Sequence, residues 1–143
     1  MSSALPEDGI IRAQSGAQAL VGYTVDVGQP DRLARAHLVI TQDHANRNGM
    51  LHGGIIAMLL DAACGFTASM QLGGAALTPL VTVSLTTNFV AGVRIGSAVT
   101  ATGYRAGGGR KIAHIRGELT DDTGALIATA TGIFKKTPAE RFT

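Results

Sequence analysis

Apolar residues follow a two-residue period along much of this chain, which predicts an array of β-strands. The period is clearest where apolar Ala113 and Ile115 alternate with polar His114 and Arg116. The segment Asp121-Asp122-Thr123-Gly124 that follows is typical of a hairpin turn. The strands that we predict are residues 20–27, 33–40, 80–91, 97–105, 110–120 and 125–136.

Residues 54–71 depart from this period, because Ala, Leu, Met and Ile occupy nearly every position. A helix that is apolar on all sides is enclosed by protein rather than lying on a surface. The segment is short for a membrane span and carries Asp61 at its middle, where a charge would be costly in lipid. We therefore predict a buried helix that ends at Gly73-Gly74.

The order of these elements is two strands, one long helix and four more strands, which indicates an α+β fold. An antiparallel sheet wrapped around one central helix satisfies this order. The length of 143 residues suits a single domain spanning residues 1–143. Residues 1–17 have no clear pattern, and we expect a short helix or a loose N-terminal arm there.

Charge is scarce in this chain, at 15% of residues against about 25% in an average soluble domain. Such a chain covers a monomer surface with difficulty, so we expect a homo-oligomer, with a compact monomer as the alternative. The net charge is +2 and Trp is absent. The scattered cations therefore suit a small anionic ligand better than a nucleic acid. We also expect no membrane partner, because of Asp61 in the apolar helix.

The single cysteine, Cys64, has no partner for an intrachain disulfide, and the first residues lack the pattern of a signal peptide. We therefore expect a cytoplasmic protein. We expect Cys64 to pack as a small apolar residue. We also expect no metal and no organic cofactor, because the four histidines lack metal-ligand spacing. These are His37, His44, His52 and His114.

Two features of the apolar helix suggest chemistry. Asp61 is the only charged residue between Gly53 and Val93. An isolated carboxylate among apolar residues needs compensation, so it is either a catalytic base or a structural hydrogen-bond acceptor. The helix begins at His52-Gly53-Gly54, where first-turn N–H groups lack internal partners and are suited to stabilise a developing oxyanion.

Residues 46–61, with Asn46, His52-Gly53-Gly54 and Asp61 in this order, closely resemble the signature of hotdog-fold acyl-CoA thioesterases of the PaaI type. The similarity extends over about residues 35–136. The resemblance implies a hotdog fold, in which an antiparallel sheet wraps around one long helix. It also implies an acyl-CoA substrate and a homotetramer built as a dimer of dimers.

The same resemblance implies a role for each residue of the motif. Asp61 would activate the attacking water or attack the thioester directly, and the Gly53 N–H would hold the thioester carbonyl. His52 would brace the loop, Asn46 would position the carbonyl or the water, and Thr82 would help to hold the water. In this family the Asp comes from the facing subunit, so each site would need two chains.

We expect the coenzyme to lie along the surface. The flexible Gly109 and the cations Arg110 and Lys111 would engage its phosphates, and a solvated strand start is the alternative for the two cations. Phe89 and Arg94 resemble a second contact region. A non-catalytic acyl-CoA or aromatic-ligand binding protein on the same scaffold is the alternative function, and the acyl group is left open.

Overall fold

Most of the structure is a β-sheet with one long helix. The computed structural model describes residues 4–74 and 76–138. The two α-helices in this part of the chain are α1 (Gly16–Val21) and α2 (Gly53–Gly73), and a 3-10 turn covers Gln42–His44. The strands are β1 (Ile10–Arg12), β2 (Thr24–Asp26), β3 (Arg35–Val39), β4 (Leu80–Phe89), β5 (Ala98–Gly108), β6 (Ile112–Asp121) and β7 (Leu126–Lys136).

The strands form one antiparallel sheet in the order β1-β2-β3-β5-β6-β7-β4. Helix α2 packs across one face of this sheet, and two glycines make its close approach possible. A Cβ added to Gly103 would lie 2.7 Å from the Ala63 carbonyl oxygen, and one added to Gly117 would lie 2.7 Å from Cys64 Sγ. The expected α+β arrangement of a sheet around one helix is confirmed.

The two ends of α2 are held by side chains from nearby turns. His52 is the N-cap residue, and the helix ends at Gly73 with Gly74 at a φ of 69°. The Arg32 guanidinium donates hydrogen bonds to the carbonyls of Met70 and Gly74. A cation at this end also complements the negative pole of the helix dipole.

The predicted strand over residues 20–27 is wrong in its first half. Leu20 lies in α1 with 88% of its surface exposed, and β2 begins only at Thr24. The reason is local capping, because Ser15 accepts a hydrogen bond from the Gln18 N–H and Gly22 ends the helix with a φ of 89°. Caps of this kind outweigh a short alternation of apolar residues.

The N-terminal segment is attached to the sheet rather than loose, as far as it is described. Strand β1 pairs with β2. The buried Gln18 side chain donates to the carbonyls of Ile11 in β1 and of Tyr23 just before β2, which ties α1 to this part of the sheet. Residues 1–3 of the predicted arm lie outside the described residues.

Helix α2 is enclosed on one side only within this chain. Its length and apolar composition would suffice for a membrane span, but half of that apolar window is buried. The part that faces the sheet is fully buried at Leu60 and Ala63. A second stripe is only partly buried and consists of Ile55, Met58, Ala62 and Phe66.

Candidate active site

Asp61 lies on α2 beside this second stripe and is partly buried. The Thr82 hydroxyl on β4 donates a hydrogen bond of 2.8 Å to Asp61 Oδ1. Thr82 can reach the helix because it pairs with Phe134 of β7, whose side chain is fully buried under α2. Among the described residues no second donor contacts the Asp61 carboxylate, so its other oxygen is open to a ligand or water.

The negative charge of Asp61 contributes to raised pKa values at two neighbouring groups. Burial, and secondly the negative charge of Asp61, raises the pKa of the Tyr23 hydroxyl. The same two causes, in the same order, raise the pKa of the Cys64 thiol to about 12. Cys64 is fully buried and protonated at neutral pH, so the structure supports packing and not a thiolate nucleophile.

In the first turn of α2, one backbone N–H group lacks a hydrogen-bond partner among the described residues. The Gly54 N–H donates to His52 Nδ1 at 2.8 Å, which places the proton of a neutral His52 ring on Nε2. The N–H groups of Ile55 and Ile56 both donate to the His52 carbonyl, at 3.0 and 3.1 Å. The Gly53 N–H has no hydrogen-bond partner in the described part of the chain. It is therefore the donor that this helix end can offer to an anion.

Asn46 organises the loop in front of the helix. Its Oδ1 accepts hydrogen bonds from the N–H groups of Asn48, at 2.9 Å, and Met50, at 3.1 Å. Its backbone N–H donates to the Met50 carbonyl at 2.7 Å. Because the side-chain oxygen is engaged in the loop, the amide NH₂ is the part of Asn46 that can contact a substrate, and it can only donate.

Phe89 and Arg94 lie at the same end of the molecule as Gly53. The Phe89 ring lies beside Gly53, since a Cβ built on the glycine would lie 3.4 Å from Phe89 Cε1. The backbone of Arg94 forms an isolated antiparallel β-bridge with Met50. Beside it, the Leu51 N–H donates a hydrogen bond of 2.8 Å to the Val93 carbonyl. The structure thus brings these predicted contacts together at the start of α2.

Asp61 is not close to Gly53 within one chain. The two residues are eight positions apart on α2, which corresponds to about 12 Å along the helix axis. The hairpin that carries Gly109, Arg110 and Lys111 is farther still, because it lies at the other end of β4. That strand runs from Leu80 to Phe89, a length of about 30 Å.

Two further cations lie beside this hairpin and were missed in the sequence. Lys135 pairs with Ile112, and the Lys136 N–H donates to the Lys111 carbonyl at 2.8 Å. All four cations at this corner are exposed, and none forms an ion pair with a described residue. The consecutive lysines were visible in the sequence, but only strand pairing shows that they adjoin Arg110 and Lys111.

In the single chain the predicted site residues are exposed or partly buried. A groove of about 510 Å³ is present elsewhere, between α1 and the outer face of the sheet, and it includes none of them. Among the described residues, no group of three His, Cys, Asp or Glu side chains is arranged to hold a metal ion.

The Thioesterase superfamily model matches residues 48–128, which is more than half of the chain. The chain belongs to the thioesterase superfamily. This confirms the expected activity class, a thioester hydrolase. Of the predicted catalytic residues, Asn46 lies just outside the matched range.

Individual relatives of this thioesterase agree with that assignment. It is 29% identical over 112 residues to mouse acyl-coenzyme A thioesterase 13, covering 78% of this chain and 77% of the mouse protein. The PaaI protein of E. coli has the same fold, with a TM-score of 0.75, 19% identity, and coverage of 87% of this chain and 86% of PaaI. The predicted PaaI-type hotdog fold is therefore confirmed.

A third similar structure holds a ligand. It is a hypothetical thioesterase from Streptococcus pneumoniae with coenzyme A, with a TM-score of 0.66 and 21% identity. The match covers 73% of this thioesterase and 81% of the pneumococcal chain. At this level of identity the likeness concerns the fold.

Proposed function

We propose that this thioesterase hydrolyses acyl-coenzyme A to a free acid and coenzyme A. The free Gly53 N–H at the start of α2 is the observation that carries the proposal, because it can hold the thioester carbonyl oxygen. The Asn46 amide would donate a second hydrogen bond to the same oxygen. Both donors act more strongly as negative charge develops on that oxygen in the tetrahedral intermediate.

Asp61 supplies the other half of the reaction. In one route its carboxylate takes a proton from a water molecule, whose oxygen attacks the carbonyl carbon. In the other route the carboxylate attacks directly and forms an anhydride, which water then opens. In both routes the C–S bond breaks, and the thiolate of coenzyme A leaves and takes up a proton. Thr82 holds one carboxylate oxygen and leaves the other free for either role.

We propose that a complete site combines two chains. About 12 Å along α2 separates Asp61 from the Gly53 N–H of its own chain. If two copies of α2 lie side by side in opposite directions around a two-fold axis, Asp61 of each faces Gly53 of the other. The partly buried stripe that includes Met58 and Phe66 would form the contact between the helices.

Strand β4 provides a second reason to expect that two chains form a dimer. It is an edge strand of 10 residues that contains no charged residue. Val83, at 58% exposure, and Val81, at 43%, are among its exposed apolar side chains. Long apolar edges of this kind are usually paired or covered. A dimer through β4 and α2 covers both surfaces, and the homotetramer implied by the family resemblance would place two such dimers together.

The coenzyme would bridge the two chains in this arrangement. An antiparallel pair brings the β5–β6 hairpin of one chain toward the α2 start of the other. Arg110 and Lys111 would then approach Arg94 of the second chain, and their charges suit the phosphates of the coenzyme. Lys135 and Lys136 extend the same cationic corner.

Replacement of the acid tests the chemistry. We expect Asp61→Asn to lower kcat on acyl-CoA substrates by about 10²-fold or more, because the amide can neither accept the proton nor attack. Release of coenzyme A thiol would be followed with a chromogenic disulfide. Gel filtration and circular dichroism should match the parent protein. Parental turnover by the purified variant would remove Asp61 from the mechanism.

A mixing experiment tests the two-chain site. Asp61→Asn and Asn46→Ala chains would be unfolded together, refolded and compared with each variant alone. A mixed dimer has both lesions in one site and none in the other, so random pairing should restore about a quarter of the parental activity. If every site belonged to one chain, mixing would restore nothing.

A further inference from the structure

The environment of Phe89 distinguishes it from the other contacts predicted for the ligand. Its ring lies against Gly53, with a Cβ position on the glycine 3.4, 3.7 and 3.9 Å from three ring carbons. The side chain nevertheless remains 58% exposed. Part of the ring therefore lies beside the residue that carries the free N–H, and much of the rest is uncovered.

The direction of the ring decides which part of a substrate it can meet. Phe89 pairs with Ala128, a buried residue on the helix-covered face of the sheet, and so belongs to the same face as Thr82. A charged coenzyme cannot be desolvated on that apolar face without compensation. The exposed cation Arg94, five residues farther along the chain, suits the coenzyme better.

We infer that Phe89 is a specificity-determining residue that contacts the acyl group next to the thioester carbonyl. This inference rests on the proposed function. A carbonyl held by the Gly53 N–H places the first acyl carbons beside the ring. A flat aromatic acyl group can stack on the ring, a straight chain can lie along it, and a branch at the carbon next to the carbonyl collides with it.

The test compares kcat/KM for phenylacetyl-, butyryl- and isobutyryl-CoA. We expect Phe89→Leu to lower the ratio of the aromatic to the straight-chain substrate about two- to tenfold, through loss of ring stacking. Phe89→Ala should raise the ratio of the branched to the straight-chain substrate. Val39→Ala is the matched control, because Val39 is 63% exposed and lies on β3 on the sheet face opposite α2, where it lines the groove beside α1. It should leave both ratios unchanged.

The possible outcomes separate this inference from the proposed function. The role in acyl selection would be overturned if both Phe89 variants kept substrate ratios of kcat/KM within twofold of the parent. An equal loss of kcat/KM on all three substrates would overturn it as well. Neither result would contradict the proposed hydrolysis of acyl-CoA. If the parent hydrolyses none of the three, calorimetry with the phenethyl and butyl thioethers of coenzyme A decides. A preference for the phenethyl thioether that Phe89→Leu removes supports the inference, whereas an equal affinity or no binding overturns it.

Discussion

The hydroxyl of Thr82 donates a hydrogen bond of 2.8 Å to the carboxylate of Asp61, joining the edge strand β4 to helix α2. The bond holds one carboxylate oxygen and thereby orients the second. The hydroxyl oxygen keeps lone pairs with which it can accept a hydrogen bond from water. Thr82 is thus placed to orient both the proposed base and its water.

The first prediction concerns this hydroxyl. We expect Thr82→Val, which keeps the shape of the side chain, to lower kcat roughly 10- to 100-fold, the usual effect of a lost hydrogen bond to a charged group. Thr82→Ser should keep kcat within about threefold of the parent, because it retains the hydroxyl. Steady-state thiol release on one acyl-CoA measures both variants. Parental kcat in Thr82→Val would show that the contact is structural only.

The extent to which the sequence predicts the fold depends on the length of each element. Strands β4–β7 are predicted because each extends over 10 or more residues, and helix α2 is predicted because its apolar run is longer than a strand. Helix α1 has only six residues, and a single side-chain cap on Ser15 decides its conformation. Strand β1 has three residues and exists through its pairing with β2. Neither can be recognised from a period.

The sequence likewise predicts only part of the candidate site. Asn46, His52 and Gly53 lie within eight residues of one another, so their motif and its helix start were visible in the sequence. The sequence did not show that the Asn46 side-chain oxygen is hydrogen-bonded within its own loop. It also did not show that Lys136 lies beside Lys111. Both depend on backbone hydrogen bonds that a linear pattern does not contain.

The second prediction concerns the C-terminal end of α2. We expect Arg32→Ala to lower the free energy of unfolding by about 1–2 kcal/mol, because the carbonyls of Met70 and Gly74 lose a charged donor. Arg12→Ala is the control, since its ion pair with Asp8 is exposed at the surface. Urea denaturation measures both. Equal effects of the two substitutions would contradict a capping role for Arg32.

The third prediction concerns the contact between α2 and the sheet. We expect Gly103→Ala to destabilise the fold by about 1–3 kcal/mol, the usual effect of overpacking. The added carbon would lie 2.7 Å from the Ala63 carbonyl oxygen, which belongs to the helix backbone. Gly107→Ala on the same strand is the control, because a Cβ there meets nothing within 4 Å. Similar melting temperatures for the two variants would show that the helix can shift away from β5.

The last prediction uses the buried thiol. Burial, with Asp61 as the second cause, raises the pKa of Cys64 from 9.0 to about 12 in the folded chain. Above pH 9 the thiol of the unfolded chain loses its proton, whereas the thiol of the folded chain keeps it up to about pH 12. The contribution of the thiol to stability is therefore complete below pH 9 and is lost as the pH rises toward 12. Between these values the stability advantage of the parent over Cys64→Ala should shrink by up to about 1.4 kcal/mol per pH unit. Urea denaturation of both proteins from pH 8 to pH 11 measures it, and parallel stability curves would contradict the burial of a neutral thiol beside Asp61.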